Sequence, residues 1–280
     1  MDEAGSGAGF PPAPATAVLQ WDQAGRGFVK PRTKMKEKEK MLRRLLLTAA
    51  IVLVALPASA DTITQWTFNS VPPDDPSVTT TGSLLPAIGS GTASLADQVT
   101  FTFATGYPDY VGDNSGWNIV PLAPTTDPAP TATNPVPKSR YAQFLVSTAG
   151  YTDIAVAFEH RASNTAVNTV VLQYTTDGTT WTDFQTSKFA AGSVWEIRSY
   201  DLSSVAAAND NASFGIRIAA DIDPVVGNYY GANNVAAARA GTWRFDNVTI
   251  SGTVVPEPGS LAALGAGLVG FAGMLRRRSR

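Results

Sequence analysis

Alternation of apolar and polar or small residues runs through the middle of this chain and restricts the folds that it can adopt. Ile154, Val156 and Phe158 share one parity, and residues two apart lie on one face of a β-strand. Turn residues interrupt the pattern about every eight to twelve positions, and no stretch of residues 61–255 has a convincing helical period. The pattern therefore predicts an all-β region. Further strands are predicted at 63–68, 99–103, 144–146, 170–174, 181–184, 195–197, 214–218 and 242–251.

An apolar segment near the N-terminus stands outside this pattern. A basic stretch, an apolar stretch and a small-residue A-x-A site follow one another over residues 41–60, which is the order of a secretory signal peptide. We predict that this segment enters the Sec translocon and that signal peptidase recognises Ala58 and Ala60. Asp61 would then be the first residue of the mature protein.

Residues 1–40 precede this signal and do not resemble part of a mature domain. They contain a Gly/Ala/Pro-rich stretch and a charge run at Lys34–Lys40. We predict that they are a non-native extension produced by an early start codon, with Met41 or Met35 as the true initiator. The alternative is a genuine cytoplasmic extension.

The C-terminal tail has three parts. They are the motif Val255-Pro256-Glu257-Pro258, the apolar run Leu261–Leu275, and the basic stop Arg276-Arg277-Arg278. The run spans about 22 Å as a helix, a thin span against a hydrocarbon core of roughly 30 Å. Basic residues hold the end of a membrane helix on the cytoplasmic side, so everything upstream is predicted to lie outside. The alternative is a plain tail anchor that stays in place.

This order of motif, helix and arginine cluster resembles the PEP-CTERM sorting signal of exopolysaccharide-producing Gram-negative bacteria. The resemblance covers residues 256–280. It implies an exported protein that is held transiently in the inner membrane, recognised by an exosortase and cut near Pro256-Glu257-Pro258. It further implies a final place at the cell surface or outside the cell, in association with exopolysaccharide or biofilm.

The charge of the predicted mature region disfavours two classes of partner. Residues 61–255 contain seventeen Asp or Glu and eight Lys or Arg, so their net charge is 8 − 17 = −9. Such an acidic region does not favour nucleic acid or anionic lipid. The chain has no cysteine, so no disulfide stabilises the fold and the hydrophobic core must do so.

Composition and two short motifs carry a second resemblance, to jelly-roll β-sandwiches such as the galactose-binding-like and laminin-G-like modules. The motifs are the hairpin signal Thr176-Asp177-Gly178-Thr179 and the closing Phe245–Ile250. The resemblance spans residues 141–251 and implies an extracellular binding or structural module, often with sugar ligands and a structural calcium. We expect a jelly-roll-like antiparallel β-sandwich over residues 61–255, interrupted by a proline-rich loop at 121–137.

The last predicted strand changes its inward face part-way. Trp243 and Phe245 are odd-numbered, whereas Val248 is even-numbered, and one extra residue, a β-bulge, would produce that switch. A bulge turns the Asp246 side chain out of the ladder, and carboxylate and amide oxygens are calcium ligands. We predict a structural Ca²⁺ site that uses Asp246, together with Asn69 or a loop carbonyl near the first strand. The alternative is a strand bend without an ion.

Aromatic residues in predicted loops indicate a ligand-binding surface. Trp117, Tyr229 and Tyr230 lie outside the alternating segments, and aromatic rings present flat apolar faces on which sugar rings stack. We predict that these three residues bind a carbohydrate. The alternative is that their rings cover hydrophobic edges of the sandwich.

Catalytic motifs are scarce. His160 is the one histidine, and its parity predicts a position at the rim of the core. One histidine without cysteine excludes a three-histidine zinc site and a Cys/His dyad. Glu159 and Glu196 are strand residues that could form a glycosidase pair. We predict a non-catalytic protein, and the alternative is a secreted polysaccharide lyase or hydrolase.

Overall fold

The computed structural model describes the chain in pieces: residues 60–75, 77–108, 112–122 and 136–256, with residues 259, 265–267, 269–271, 274 and 277 near the C-terminus. That described part contains eleven β-strands and one 3-10 helix. The strands form two antiparallel sheets, one of six strands and one of five. The predicted all-β, jelly-roll-like sandwich is therefore confirmed.

The strands follow one another along the chain as follows. They are β1 (Ala60–Trp66), β2 (Thr92–Leu95), β3 (Thr100–Thr105), β4 (Ser115–Val120), β5 (Tyr141–Leu145), β6 (Tyr151–Ala162), β7 (Thr169–Thr175), β8 (Thr182–Lys188), β9 (Trp195–Asp201), β10 (Gly215–Ala220) and β11 (Trp243–Val254), with the 3-10 helix at Ala206–Ala208. The six-stranded sheet has the order β3-β4-β11-β6-β9, with β1 also paired to β11. The five-stranded sheet has the order β2-β5-β10-β7-β8.

The core lies between the two sheets and is rich in aromatic rings. Trp66 and Trp117 of the six-stranded sheet contact Phe144 of the five-stranded sheet, with ring centroids 5.0 and 5.8 Å apart. Phe68 packs against Trp117 at 5.5 Å. All four side chains are buried, and each large ring removes much apolar surface from water. This cluster takes the stabilising role that disulfides have in many exported domains.

The predicted β-bulge in the last strand is confirmed. Asp246 of β11 pairs with Glu159 of β6, but the next pair is Thr249 with Ala157. β11 therefore has one extra residue in this interval, and Asn247 adopts a left-handed backbone with φ 46°. Asparagine tolerates that conformation better than most residues. The bulge rotates the strand so that Val248 continues the buried face that Phe245 began.

Two strands of the structure, β2 and β4, are absent from the sequence prediction. β2 is short, and β4 contains Trp117, which was predicted to lie in a loop. The reason is that β4 offers only two apolar residues of one parity, Trp117 and Ile119, between glycine- and proline-containing segments. Such a short alternation is hard to distinguish from a loop.

Several predicted segments lie outside the described residues. These are the N-terminal extension at 1–40, the signal peptide with Ala58, most of the proline-rich loop at 121–137, Glu257, Pro258, Arg276 and Arg278. Among the residues that are described, no helix has both the length and the apolarity needed to cross a membrane.

Candidate functional site

One row of polar side chains crosses the outer face of the five-stranded sheet. The strand register pairs its members in succession, from β2 to β8. We call this set the polar row: Ser94, Gln143, Arg217, Gln173 and Asp183. Gln143 lies between Ala142 and Phe144, which are both fully buried. Since strand neighbours point to opposite faces, the row points away from the core.

The polar row is long enough to contact an extended ligand. Neighbouring strands are about 4.8 Å apart, so the four intervals of the row span about 19 Å. The row runs across the strands, and every strand of the sheet contributes one side chain. A chain molecule lying along the row would therefore meet polar groups on β2, β5, β10 and β8, whereas Gln173 of β7 is buried and supports Asp183 from below.

Arg217 lies at the centre of the polar row between two aromatic rings. Its guanidinium carbon is 3.9 Å from the Tyr141 ring centroid and 3.9 Å from the Trp181 ring centroid. Its Nε donates a hydrogen bond of 2.8 Å to Oε1 of Gln143. Partial burial lowers the pKa of Arg217, because a desolvated charge is less favourable. Cation–π contacts favour the charged form and hold the group in place.

The β8 end of the row is a hydrogen-bonded network. Gln173 Nε2 donates to Asp183 Oδ1 at 2.9 Å, and Lys138 Nζ donates to the other carboxylate oxygen of Asp183. The hydrogen bond from Lys138 lowers the pKa of Asp183, and the same bond raises the pKa of Lys138. Asp221 lies 3.8 Å from Lys138 Nζ. Asp183 is therefore ionised and already paired near neutral pH.

A cavity of about 340 Å³ opens beside the polar row. Thr92 and Leu145 line it, each two positions along its strand from a member of the row. Ala212, Ser213 and Phe214 form another part of its wall. The outer face of this sheet thus combines a polar row, two aromatic rings and an adjoining hollow, which is the usual make-up of a small-molecule site.

The structure corrects the predicted positions of the ligand-binding aromatics. Trp117 lies in β4 with no exposed surface, and Tyr229 is 1% exposed. The Tyr229 hydroxyl donates to the Val136 carbonyl, and burial raises its pKa to about 12. Tyr230 is half-buried and donates to the Asn234 carbonyl at 2.7 Å. The prediction of three exposed rings in loops was wrong for Trp117 and Tyr229, because both complete the core.

The rings that do reach the polar row are Tyr141 and Trp181. The sequence offered a signal for Tyr141, which has the parity opposite to the buried residues of β5. In β10, Arg217 likewise has the parity opposite to that of the buried residues Ile216 and Ile218. The pairing of these strands brings the residues together, and no local pattern in the sequence reports that pairing.

Oxygen atoms converge on the outer side of the bulge. Asp246 is 2% exposed, and its Oδ2 accepts a hydrogen bond of 2.7 Å from the Tyr107 amide. A Cβ atom on Gly106 would lie 2.0 Å from Asn114 Oδ1 and 2.3 Å from Asp246 Oδ2. Only glycine fits there, so the backbone closely approaches a carboxylate and an amide oxygen.

Asn69 lies at the edge of this group. Its Oδ1 accepts a hydrogen bond of 2.9 Å from the amide of Ser115, the residue after Asn114. In the described part of the chain, no three His, Cys, Asp or Glu side chains come together as a metal site would require. The side-chain oxygens near Asp246 belong to one carboxylate and to amides, which are ligand types that Ca²⁺ uses. Both Asp246 oxygens accept hydrogen bonds from backbone amides, Oδ2 from Tyr107 and Oδ1 from Asn247.

The structure does not bring Glu159 and Glu196 together as a catalytic pair. Glu159 pairs with Ile197, whereas Glu196 pairs with His160, so the two glutamates point to opposite faces of the sheet. Glu196 binds Arg198 at 2.8 Å. These two residues cannot flank one glycosidic bond. His160 is fully buried rather than at the rim of the core, so that position was predicted wrongly.

Comparison with known families identifies the tail. Residues 254–278 match the family described as the PEP-CTERM protein-sorting motif. The chain carries a PEP-CTERM sorting signal. This motif implies export and an exosortase as the processing partner. The match begins at Val254, the last residue of β11, and Val255 N donates to the Gly150 carbonyl at 2.8 Å. The PEP-CTERM motif therefore starts directly at the folded sandwich.

Comparison with curated proteins finds no match. Solved structures give remote similarities. The CBM22-1 xylan-binding domain of Paenibacillus barcinonensis Xyn10C is 9% identical, with 72% of this chain and 100% of that chain covered and a TM-score of 0.38. A carbohydrate binding module of family 29 is 9% identical, with 69% and 89% covered and a TM-score of 0.34.

A third similar structure is the CBM22-1–GH10 part of xylanase Xyn10B from Clostridium thermocellum. It is 13% identical with a TM-score of 0.35, and 60% of this chain is covered. The chain spans about a quarter of that protein, since 27% of it is matched. Similarity at this level carries no argument about the ligand, which has to be inferred from the side chains of the PEP-CTERM protein itself.

Proposed function

We propose that this exported protein is processed by an exosortase and then resides at the cell surface or in the extracellular matrix, where its sandwich binds polysaccharide without cleaving it. The observation that supports the binding role is the polar row with Tyr141 and Trp181 around Arg217. Sugars have apolar ring faces and many hydroxyl groups, so they match a surface of aromatic rings flanked by amide and charged side chains.

The sorting signal and the sandwich support complementary parts of this proposal. An exosortase substrate is exported, and an exported sandwich meets polysaccharide at the cell surface. We propose exopolysaccharide or biofilm polysaccharide as the partner, with the Sec translocon and signal peptidase acting earlier on residues 41–60. Passage through the inner membrane would be transient, and cleavage near Pro256 would end it.

The binding proposal is tested with single substitutions on the two sheets. Trp181→Ala removes one wall of the Arg217 stack, and we expect a loss of about 2 kcal/mol, or about 30-fold, as for other central aromatic contacts. The matched control is Trp195→Ala. Trp195 is also half-buried, but it belongs to the six-stranded sheet and contacts Tyr107 at 5.8 Å.

The measurement is affinity electrophoresis of the full chain, in mild detergent, through gels that contain soluble polysaccharides. Retardation should be lost in Trp181→Ala and kept in Trp195→Ala. Equal retardation of both variants would exclude the polar row as the binding site. Release of reducing ends or unsaturated sugars from a bound polymer would instead indicate the lyase or hydrolase alternative.

We also propose that a structural calcium ion stabilises the bulge, with Asp246 as its carboxylate ligand and Asn69 and Asn114 in the surrounding loops. The support is the close approach of Asp246 and Asn114 oxygens around Gly106. The ion would hold Gly106, Tyr107 and Asn114 against β11. This role is structural, and the polar row lies on the other sheet.

A further inference from the structure

The guanidinium of Arg217 makes contacts with two aromatic rings and one amide, and its two terminal nitrogens remain available for a ligand. Tyr141 and Trp181 both place a ring 3.9 Å from its central carbon, and Nε donates a hydrogen bond to Gln143. Together the two rings and the hydrogen bond restrain the position and the orientation of the group. The remaining edge consists of the two terminal nitrogens, which form a planar fork of N–H donors.

This fork has no acidic partner among the described residues. The ion pairs found there join Lys138, Lys188 and Arg198 to carboxylates, and Arg217 is in none of them. The nearest acid in the polar row, Asp183, already accepts hydrogen bonds from Lys138 and Gln173. Arg217 is thus a half-buried cation without a compensating charge.

An arginine in this state is suited to bind an oxyanion. Guanidinium and carboxylate groups join through two parallel hydrogen bonds, and such bonds are stronger than neutral ones. A partly desolvated cation also gains more from an arriving opposite charge than an exposed one does. A neutral hydroxyl would satisfy the hydrogen bonds of the fork and leave its charge uncompensated.

The negative charge of the rest of the domain opposes the binding of an anionic polymer, so the positive charge of Arg217 has to offset it locally. Residues 61–255 have a net charge of −9, which disfavours the approach of an anionic polymer at low salt. Screening limits that repulsion to about 8–10 Å at moderate ionic strength. Lys138 neutralises Asp183 within the polar row, so the repulsion nearest to Arg217 is already reduced.

We propose that the polysaccharide bound on the polar row is acidic and that a sugar oxyanion, a carboxylate of the uronic acid type, occupies the fork of Arg217. This inference rests on the proposed function of the same surface. The aromatic rings and the amide of Gln143 would contact the ring faces and hydroxyls of the same polysaccharide chain. Arg217 would give the site its preference for negatively charged polysaccharides.

The test compares three soluble polymers on the full chain: a polyuronate, the same polymer after reduction of its carboxyl groups to alcohols, and a sulfated glucan. Affinity is measured by isothermal titration calorimetry at low and moderate salt. We expect the polyuronate to bind at least about tenfold more tightly than its reduced form, which is the contribution of one charge-assisted bidentate contact. This preference should shrink as salt is added.

Two substitutions of Arg217 distinguish the effect of its positive charge from the effect of its two-pronged hydrogen bonding. Arg217→Gln should bind the polyuronate and its reduced form equally, and Arg217→Lys should keep part of the preference because it retains the charge without the fork. The control Arg161→Gln changes an arginine of the six-stranded sheet, which donates to the Ser193 carbonyl, and should keep the full preference. Preferential binding of the sulfated glucan, lost in Arg217→Gln, would assign the oxyanion to a sulfate ester.

Two results would contradict the inference in different ways. Equal binding of the polyuronate and its reduced form by the unmodified protein would show a neutral ligand and overturn the acidic assignment, while polysaccharide binding would stand. No binding of any polymer, together with no effect of Trp181→Ala, would overturn the proposed function itself.

Discussion

His160 makes the stability of the sandwich depend on pH. Its ring stacks on Phe245 at 4.3 Å and contacts Phe189 at 4.6 Å and Trp243 at 5.3 Å. The side chain is fully buried, and neither ring nitrogen has a hydrogen-bond partner among the described residues. Burial, and secondly the charge of Arg198, lower the pKa of His160 well below its usual 6.5.

The direction of the effect follows from proton linkage. The folded protein keeps the imidazole neutral, whereas the unfolded chain takes up a proton as the pH falls through 6.5. The contribution of the neutral His160 to the free energy of unfolding is therefore fully present above pH 6.5, and it decreases as the pH falls below that value. The limiting slope is about 1.4 kcal/mol per pH unit, so the loss reaches up to about 2.7 kcal/mol two units lower.

Replacing His160 with phenylalanine should remove this dependence. His160→Phe adds volume to a packed site and costs about 1–3 kcal/mol at any pH. The informative quantity is the difference in unfolding free energy between variant and unmodified protein. We expect that difference to shift in favour of the variant by up to about 2.7 kcal/mol between about pH 8.5 and about pH 4.5, since the other titrating groups are common to both proteins.

Urea unfolding followed by tryptophan fluorescence measures both proteins at the two pH values. Phe189→Leu is the control, because it alters the same aromatic cluster without removing a titratable group, and its difference from the unmodified protein should not change with pH. A free-energy difference for His160→Phe that is the same at both pH values would refute the reasoning. It would mean that the imidazole is not kept neutral in the folded state.

Three further predictions concern export, sorting and the ion. The secreted protein should begin at Asp61, and N-terminal sequencing that finds a start before Met41 would contradict the predicted signal peptide. Glu257→Ala should leave unprocessed protein in the inner membrane, as seen on immunoblots of fractionated cells, and normal release would count against exosortase recognition through this residue. Calcium at a hundredfold excess over its Kd should stabilise the unmodified protein by about 2.7 kcal/mol and Asp246→Ala not at all. Thermal melts that do not differ between calcium and chelator would exclude the ion.

The sequence predicted the fold wherever a strand has one buried face. β6 alternates cleanly, so its position and its buried face could be predicted from parity alone. Parity predicts the face of a residue but not its depth, which explains why His160 was placed at the rim although it lies in the core. The bulge at Asp246 could be predicted because it reverses the parity of β11.

The candidate site was harder to predict because it depends on strand pairing. Gln143, Arg217 and Gln173 are polar residues on separate strands, and in the sequence each alone resembles an ordinary solvated position, although Gln173 is buried. They become one row only through the register of β5, β10 and β7. Trp117 was misplaced for the converse reason, since an aromatic residue between turn-rich segments resembles a loop residue until β4 is seen to pair with β11.

The pairing of the first strand with the last has a consequence for the timing of folding. Ala60 lies opposite Thr253, and β11 is also the interior strand that joins β4 to β6. The six-stranded sheet therefore lacks its middle until almost the whole domain has been synthesised. Such long-range closure is slow, and late folding would suit a protein that is exported unfolded. The residues that complete the sheet are the last ones before the sorting motif, so the sheet cannot close until the chain has been synthesised up to that motif.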